Sequence, residues 1–165
     1  MTNDFIDSVL QQLLHYKELG EKTFAQLNDK QLLWQYNEES NSVGILVKHL
    51  WGNMLSRWTD FFTTDGEKEW RKRDAEFEND IKSREELMQK WTAGWMCLLN
   101  AVKSLRVEDL SKPLAIRGKA LTVTDALIRQ LAHTAYHVGQ IVYLGKMQLG
   151  EKWETLSIPA KKHQH

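Results

Sequence analysis

The sequence predicts an all-α protein: a four-helix bundle with crossover connections, in which residues 1–160 form one domain and residues 161–165 a polar tail. A chain of 165 residues has the length of a single domain. Only two prolines occur, Pro113 and Pro159, and neither lies in a segment with helical periodicity. Four long segments instead repeat apolar side chains every three or four residues, as one face of a helix does. Four helices joined by long connections are typical of a bundle.

The first two predicted helices span residues 2–27 and 42–62. In the first, apolar side chains from Phe5 to Tyr16 recur at helical spacing beside a charged outer face. The second begins at Ser42, because a serine side chain can accept a hydrogen bond from the free amides of a first turn. A Thr-Thr-Asp-Gly sequence, typical of a turn, ends it.

The third and fourth predicted helices span residues 83–105 and 122–149. Each begins with a capping-box pattern, in which Ser83 or Thr122 is followed three residues later by an acidic side chain. Gly150 follows the fourth helix, where a glycine commonly ends one.

Two long connections separate these helices. Residues 63–82 carry charges of both signs, including an Arg71-Lys-Arg run balanced by nearby acids, and this pattern predicts a solvated surface crossover. Residues 106–121 alternate apolar and polar side chains around Arg117 and Gly118, which predicts a small hairpin before the last helix.

Composition limits the classes of function. The chain has 22 Lys and Arg against 22 Asp and Glu, so it lacks the net positive charge expected of a nucleic-acid-binding protein. Cys97 is the single cysteine, so no internal disulfide forms, and this suits a reducing compartment. No signal peptide and no membrane span is expected, so we predict a cytoplasmic location. Amphipathic outer helices favour a homodimer, the commonest closed symmetry.

The second and fourth helices carry unusually few charges. Between residues 126 and 145, Arg129 is the single charged side chain, so the helix is predicted to be buried around most of its circumference. Each helix nonetheless has one polar stripe, which holds His49 and Asn53 in the second helix and His133 and His137 in the fourth. The stripes are predicted to line a polar cavity.

His133 and His137 are the sharpest local feature, because residues four apart lie one helical turn above each other. Two imidazoles at that spacing can bind one metal, and His49 is the best candidate for a third ligand. The alternatives are that these histidines are hydrogen-bonded in the core or face solvent. Thr134 stands where the zincin motif H-E-x-x-H requires a glutamate, which disfavours that protease chemistry.

Residues 41–60, with His49, and residues 129–141, with the H-x-x-x-H pair, resemble the second and fourth helices of the DinB-like (YfiT-like) superfamily. Residues 64–68 and 116–119 are similar to a branch of that superfamily catalogued only as a domain of unknown function. The resemblance covers nearly the whole chain.

The resemblance implies a helical bundle that holds one divalent metal, most plausibly Zn²⁺ or Ni²⁺, through His49, His133 and His137. Superfamily members with known activity are metal-dependent transferases of low-molecular-weight bacterial thiols, bacillithiol or mycothiol. The expected function is therefore thiol S-transfer to a small-molecule electrophile in detoxification or stress response. The alternatives are a metal-dependent hydrolase and a non-catalytic helical stress or interaction protein.

This chemistry suits three neutral imidazoles, which leave one coordination position open. A metal there stabilises a thiol as its thiolate, so the protein needs no reactive cysteine of its own. The polar neighbours expected to orient the ligands or contact the substrate are Asn53, Arg57, Tyr136 and Gln140.

Overall fold

A computed structural model describes residues 4–158, which form five α-helices and one two-stranded antiparallel hairpin. The elements in chain order are α1 (Asp4–Gln26), α2 (Asp29–Leu33), α3 (Val43–Trp58), α4 (Arg84–Ser104), β1 (Pro113–Ile116), β2 (Lys119–Thr122) and α5 (Val123–Leu149). The mostly helical fold and the small hairpin are thus confirmed. The polar tail predicted at residues 161–165 lies outside the described residues.

The predicted helix starts are confirmed by their caps. The Ser42 hydroxyl accepts a hydrogen bond from the Ile45 amide at 3.1 Å. Thr122 and Asp125 form a complete capping box at the start of α5. The Ser83 hydroxyl likewise caps α4. Three of the four long helices therefore begin where their sequence signals predict.

Two boundaries differ from the prediction. The second long helix, α3, ends at Trp58 rather than at residue 62, because Asp60 adopts a left-handed conformation with φ of 48°. A short helix, α2, was not predicted; Asn28 and Gln31 cap it reciprocally.

The long helices pack around one apolar core. Helix α3 packs against α4 and α5, while α1 packs against α5 and α4. Trp91 and Trp95 of α4 are fully buried at the centre, and Phe24 of α1 contacts Trp91 edge to face. Leu13, Leu50 and similar fully buried side chains fill the rest of the core. Within residues 4–158, no helix combines the length and apolar character needed to cross a bilayer.

The prediction that α3 and α5 are buried nearly all round holds for α3 alone. Even Lys48 of α3 is buried, with only 7% of its surface exposed, because its ammonium group donates hydrogen bonds to the Glu78 carbonyl and to Asp80. Helix α5 instead keeps one face in solvent, where Tyr136 and Tyr143 are 55% and 68% exposed. This exposed face carries few charges, so a low number of charged side chains did not by itself indicate burial.

The crossover between α3 and α4 is only partly the solvated surface loop that its charges predict. It runs along the polar stripe of α3, where the Ser42 hydroxyl donates to Asn79 and the Ser56 hydroxyl donates to the Gly66 carbonyl. The side chains of Arg71 and Glu76 are 2% and 6% exposed. Their charges pair with each other, which is the physical reason that they can be buried.

Gly20 of α1 sets the approach of α1 to α4. A methyl group at this position would lie 2.6 Å from the Trp91 ring, which is fully buried. We expect Gly20→Ala to lower the free energy of unfolding by about 1–3 kcal/mol, because the crowded ring must shift. Gly139→Ala is the matched control, since nothing lies within 4 Å of that position in α5. Urea denaturation of both variants checks this, and equal stabilities would contradict it.

Candidate metal centre

Three histidines from two helices lie together at one side of the core. His49 is on α3, and His133 and His137 lie one turn apart on α5. One ring nitrogen from each residue lies within 4.8 Å of the others. The Nε2 atoms of His49 and His133 are 3.1 Å apart. The structure therefore brings together the three residues that the sequence indicated.

His49 is oriented by a buried carboxylate. Its Nδ1 atom lies 2.9 Å from Oε2 of Glu76, and both side chains are 6% exposed. A carboxylate only accepts hydrogen bonds, so Nδ1 carries the hydrogen and donates it to Glu76. The lone pair of His49 is then on Nε2, which faces His133. A carboxylate behind an imidazole is the usual support of a metal-binding histidine.

Glu76 is held in turn by Arg71. The Nε atom of Arg71 donates to Oε1 at 2.7 Å, and Nη2 donates to Oε2 at 2.9 Å. Burial alone would raise the pKa of Glu76, but the hydrogen bonds from His49 and Arg71 outweigh it and keep the pKa below its usual range. Glu76 therefore remains ionised and keeps the hydrogen of His49 on Nδ1.

Gly52 makes room for this carboxylate. It lies three residues after His49 on α3, and a methyl group there would come within 2.2 Å of Oε1 of Glu76. Any side chain at this position would push Glu76 away from the helix. The absence of a side chain at position 52 is thus a condition for the contact between Glu76 and His49.

His137 is oriented by Gln140, one of the residues proposed from sequence. Its Nδ1 atom lies 2.8 Å from the Gln140 amide oxygen. Because an amide oxygen accepts, Nδ1 carries the hydrogen and the lone pair is on Nε2. His137 therefore offers the same nitrogen as His49.

His133 provides the test of whether a metal fits the cluster. Its buried Nδ1 has no hydrogen-bond partner among residues 4–158 with either tautomer, so the test rests on Nε2, which without a metal would have to donate to His49. Two imidazole nitrogens bound to one tetrahedral metal at about 2.0–2.1 Å lie about 3.3 Å apart. The observed 3.1 Å fits that separation and needs no hydrogen between the nitrogens.

The electrostatics of the cluster keep two of its imidazoles, those of His133 and His137, neutral. Burial lowers the pKa of His133 to about 3, and the charges of His137, His49 and Arg71 act in the same direction. Burial lowers the pKa of His137 to about 4, although the hydrogen bond to Gln140 opposes the shift. Neutral imidazoles with free lone pairs are what a divalent cation requires as ligands.

A cavity of about 210 Å³ opens beside His49 and His133. Asn53, Arg57 and Tyr136 line it, and their proposed contact with a substrate stays a prediction. Gln140 is not among the lining residues, and its contact is with His137 instead. The arrangement is therefore compatible with a metal held beside a cavity that has room for a small molecule.

The hairpin forms one wall of this cavity through residues 114–117. Its two-residue turn, Arg117 and Gly118, has positive φ at both positions, as tight hairpins require. The Asp65 carboxylate accepts hydrogen bonds from both turn amides, at 2.8 and 2.7 Å. The Glu67 carboxylate binds Arg57 and Arg117 together. The crossover thus fixes the hairpin to α3.

Sequence analysis missed Arg71 and Glu76, which support the histidine cluster. Their charges were interpreted as balanced in solvent, whereas they balance each other inside the protein. One signal could have indicated this: a glycine three residues after His49, inside an otherwise well-formed helix, is costly unless something needs the space.

The fold and the site define a mostly helical protein with a buried three-histidine cluster that is compatible with a metal site. The chain belongs to the family described as "Protein of unknown function (DUF1572)", whose model matches residues 1–162. No curated protein matches the chain. The expectation of a family without an assigned function is thus confirmed, while membership of the DinB-like superfamily stays a prediction.

We expect Glu76→Gln to weaken Zn²⁺ binding about ten- to a hundredfold, because losing the carboxylate behind a metal ligand typically has that effect. Gly52→Ala should weaken binding in the same direction by displacing Glu76. Competition against a chromophoric chelator measures both affinities. Glu78→Gln is the control, since the Glu78 side chain is exposed. Lys48 donates to the backbone carbonyl of Glu78, which the substitution leaves in place. Unchanged affinity in Glu76→Gln would contradict the prediction.

Proposed function

We propose that the protein is a metal-dependent enzyme of the DinB-like type, in which His49, His133 and His137 hold one divalent transition metal, Zn²⁺ or Ni²⁺. The observation that carries this proposal is the convergence of three ring nitrogens within 4.8 Å of one another. Glu76 and Gln140 fix the hydrogens of two of these rings on the far side of the cluster. Within residues 4–158, this is the one group of three or more His, Cys, Asp or Glu side chains close enough to hold a metal.

The helix packing supports the superfamily assignment. The four long helices α1, α3, α4 and α5 pack with α1 against α5 and α3 against α4. A long crossover joins α3 to α4, and a second long connection with the hairpin joins α4 to α5. We propose that this arrangement is the four-helix bundle with crossover connections that the sequence predicts.

Three protein ligands and an adjacent cavity favour a catalytic site over a structural one, because structural zinc sites are usually closed by four protein ligands. A metal bound there would supply Lewis acidity, which lowers the pKa of a thiol at the open position. The reaction that we propose is transfer of a low-molecular-weight thiol. Its sulfur bonds to an electrophilic carbon, the leaving group departs with the bonding electron pair, and the thiol proton passes to solvent.

The chain's own residues suit a thiol supplied by a cosubstrate. Cys97 is not among the residues that line the cavity; its Sγ atom contacts Thr59 and the Met54 carbonyl instead. Burial raises the pKa of the Tyr136 hydroxyl, which lines the cavity, so it stays protonated at neutral pH and can donate a hydrogen bond to a departing group.

Metal content tests the site directly. Untagged protein ending at Pro159, which removes His163 and His165, should hold about one equivalent of transition metal by elemental mass spectrometry. His49→Ala and His133→Ala should lose it, because two imidazoles are too few for a tight site. His15→Ala is the matched control, since His15 is exposed on α1. Metal content unchanged in the His49 and His133 variants would refute the proposed site.

Thiol transfer is tested with bacillithiol and a chromogenic haloarene. We expect turnover that requires both the thiol and the metal and that falls at least about a hundredfold in His133→Ala, because the remaining ligands cannot hold the metal. His15→Ala should keep full activity. Thiol-independent ester hydrolysis by the metal-loaded protein would instead support a hydrolase. A protein that unfolds on metal removal but shows no turnover would support a structural metal.

A further inference from the structure

The cavity beside the histidines is strongly cationic, although the chain as a whole has equal numbers of acidic and basic residues. Its lining includes no Asp or Glu. It includes the arginines Arg57, Arg71, Arg73, Arg117 and Arg129. These come from α3, the crossover, the hairpin and α5, so segments distant in sequence bring their positive charges to one place.

Two carboxylates near the cavity balance only part of this charge. Glu76 is bound by Arg71, and Glu67 is shared by Arg57 and Arg117. Both carboxylates are therefore already engaged by the protein's own guanidinium groups.

Two arginines keep their charge available. Arg129 has no carboxylate within 4.0 Å among residues 4–158. The nearest carboxylate to Arg73 is the exposed Asp74, at 3.8 Å. Both arginines line the cavity together with Tyr136. Among residues 4–158, the wall of the cavity thus holds Arg129 without an ion pair and Arg73 with one long ion pair to an exposed carboxylate.

Part of the rest of the lining is apolar. The rings of Trp58 and Phe61 and the side chains of Leu114 and Ile116 form this part of the wall. Asn53 is 8% exposed, and its buried amide oxygen has no partner within the described part of the chain. Buried polar atoms are nearly always hydrogen-bonded, so this oxygen is expected to accept a hydrogen bond from a molecule in the cavity.

We propose that the cavity binds a small organic anion, a carboxylate or phosphate with an apolar body, whose charged group is held by Arg129 and Arg73. This inference rests on the proposed function in so far as the anion is the substrate of the metal site. Guanidinium groups bind such oxyanions through strong, charge-assisted hydrogen bonds. The apolar body lies against Trp58 and Phe61, and a ligand that also carries an N–H or O–H group donates a hydrogen bond to the Asn53 oxygen. The cavity volume, about 210 Å³, suits a small molecule.

The test compares ligands of one shape and different charge. Zn²⁺-loaded and metal-free protein are titrated calorimetrically with phenylpropionate, phenyl phosphate, phenylpropanol and phenylpropylamine. We expect at least one of the two anions to bind roughly tenfold more tightly than the alcohol, and the amine to bind most weakly. The preference for the anion should shrink at high salt, because Arg73 and Arg129 are exposed enough to be screened.

Arg129→Gln is the matched variant, because Arg129 forms no ion pair among residues 4–158 and its loss should leave the fold intact. We expect it to weaken anion binding roughly tenfold and to leave binding of the alcohol unchanged. Arg106→Gln, on an exposed side chain outside the cavity, should bind like the unaltered protein.

The outcomes separate this inference from the proposed function. If no metal binds but the metal-free protein prefers an anion through Arg129, the anion site stands and the metal site fails. If the metal binds through the histidines but neither anion binds more tightly than the alcohol, the anion site is overturned and the metal site stands. Equal anion binding by the Arg129→Gln and Arg106→Gln variants would also overturn it.

Discussion

One buried carboxylate, that of Glu76, joins the parts of this molecule that matter for its chemistry. It accepts from the His49 ring on one side and from the Arg71 guanidinium on the other, and all three side chains are nearly excluded from solvent. Removing one partner from such a group leaves an uncompensated buried charge, which typically costs about 3–5 kcal/mol. The position of the crossover on α3 and the orientation of the imidazole are therefore set by the same interaction.

The crossover also positions structure near its beginning, at residues 65–67. There Asp65 and Glu67 bind the turn and the arginines around it, so that a loop of mixed charge connects α3 to the hairpin. Several charges of the loop, those of Glu67, Arg71 and Glu76, pair inside the protein, while others such as Glu69 and Lys72 stay exposed. This explains how a chain with equal acidic and basic content surrounds one cavity with positive charge: its acids lie behind the arginines and not in the lining.

The sequence predicts those features of the structure that depend on interactions between residues close together in the chain. Helix starts depend on a hydroxyl and an amide three residues apart, so Ser42, Ser83 and Thr122 could be recognised locally. The pairing of His133 with His137 is also local, because it needs only one helical turn. The contact of Glu76 with His49 joins residues 27 positions apart through an irregular loop, and no periodicity describes it. The left-handed residue Asp60, which shortens α3, is likewise set by its surroundings.

The hairpin has a consequence for access to the cavity. Two strands of four residues each are marginally stable on their own, and this pair depends on Asp65 to hold its turn. A common core, in which Trp91 and Trp95 are buried, joins the helices α1, α3, α4 and α5. None of these helices can therefore unfold without unfolding of the whole protein. The hairpin can open at far lower free energy, as local segments with few buried contacts do. Opening of the hairpin would remove one wall of the cavity while the helices that carry the histidines stay folded.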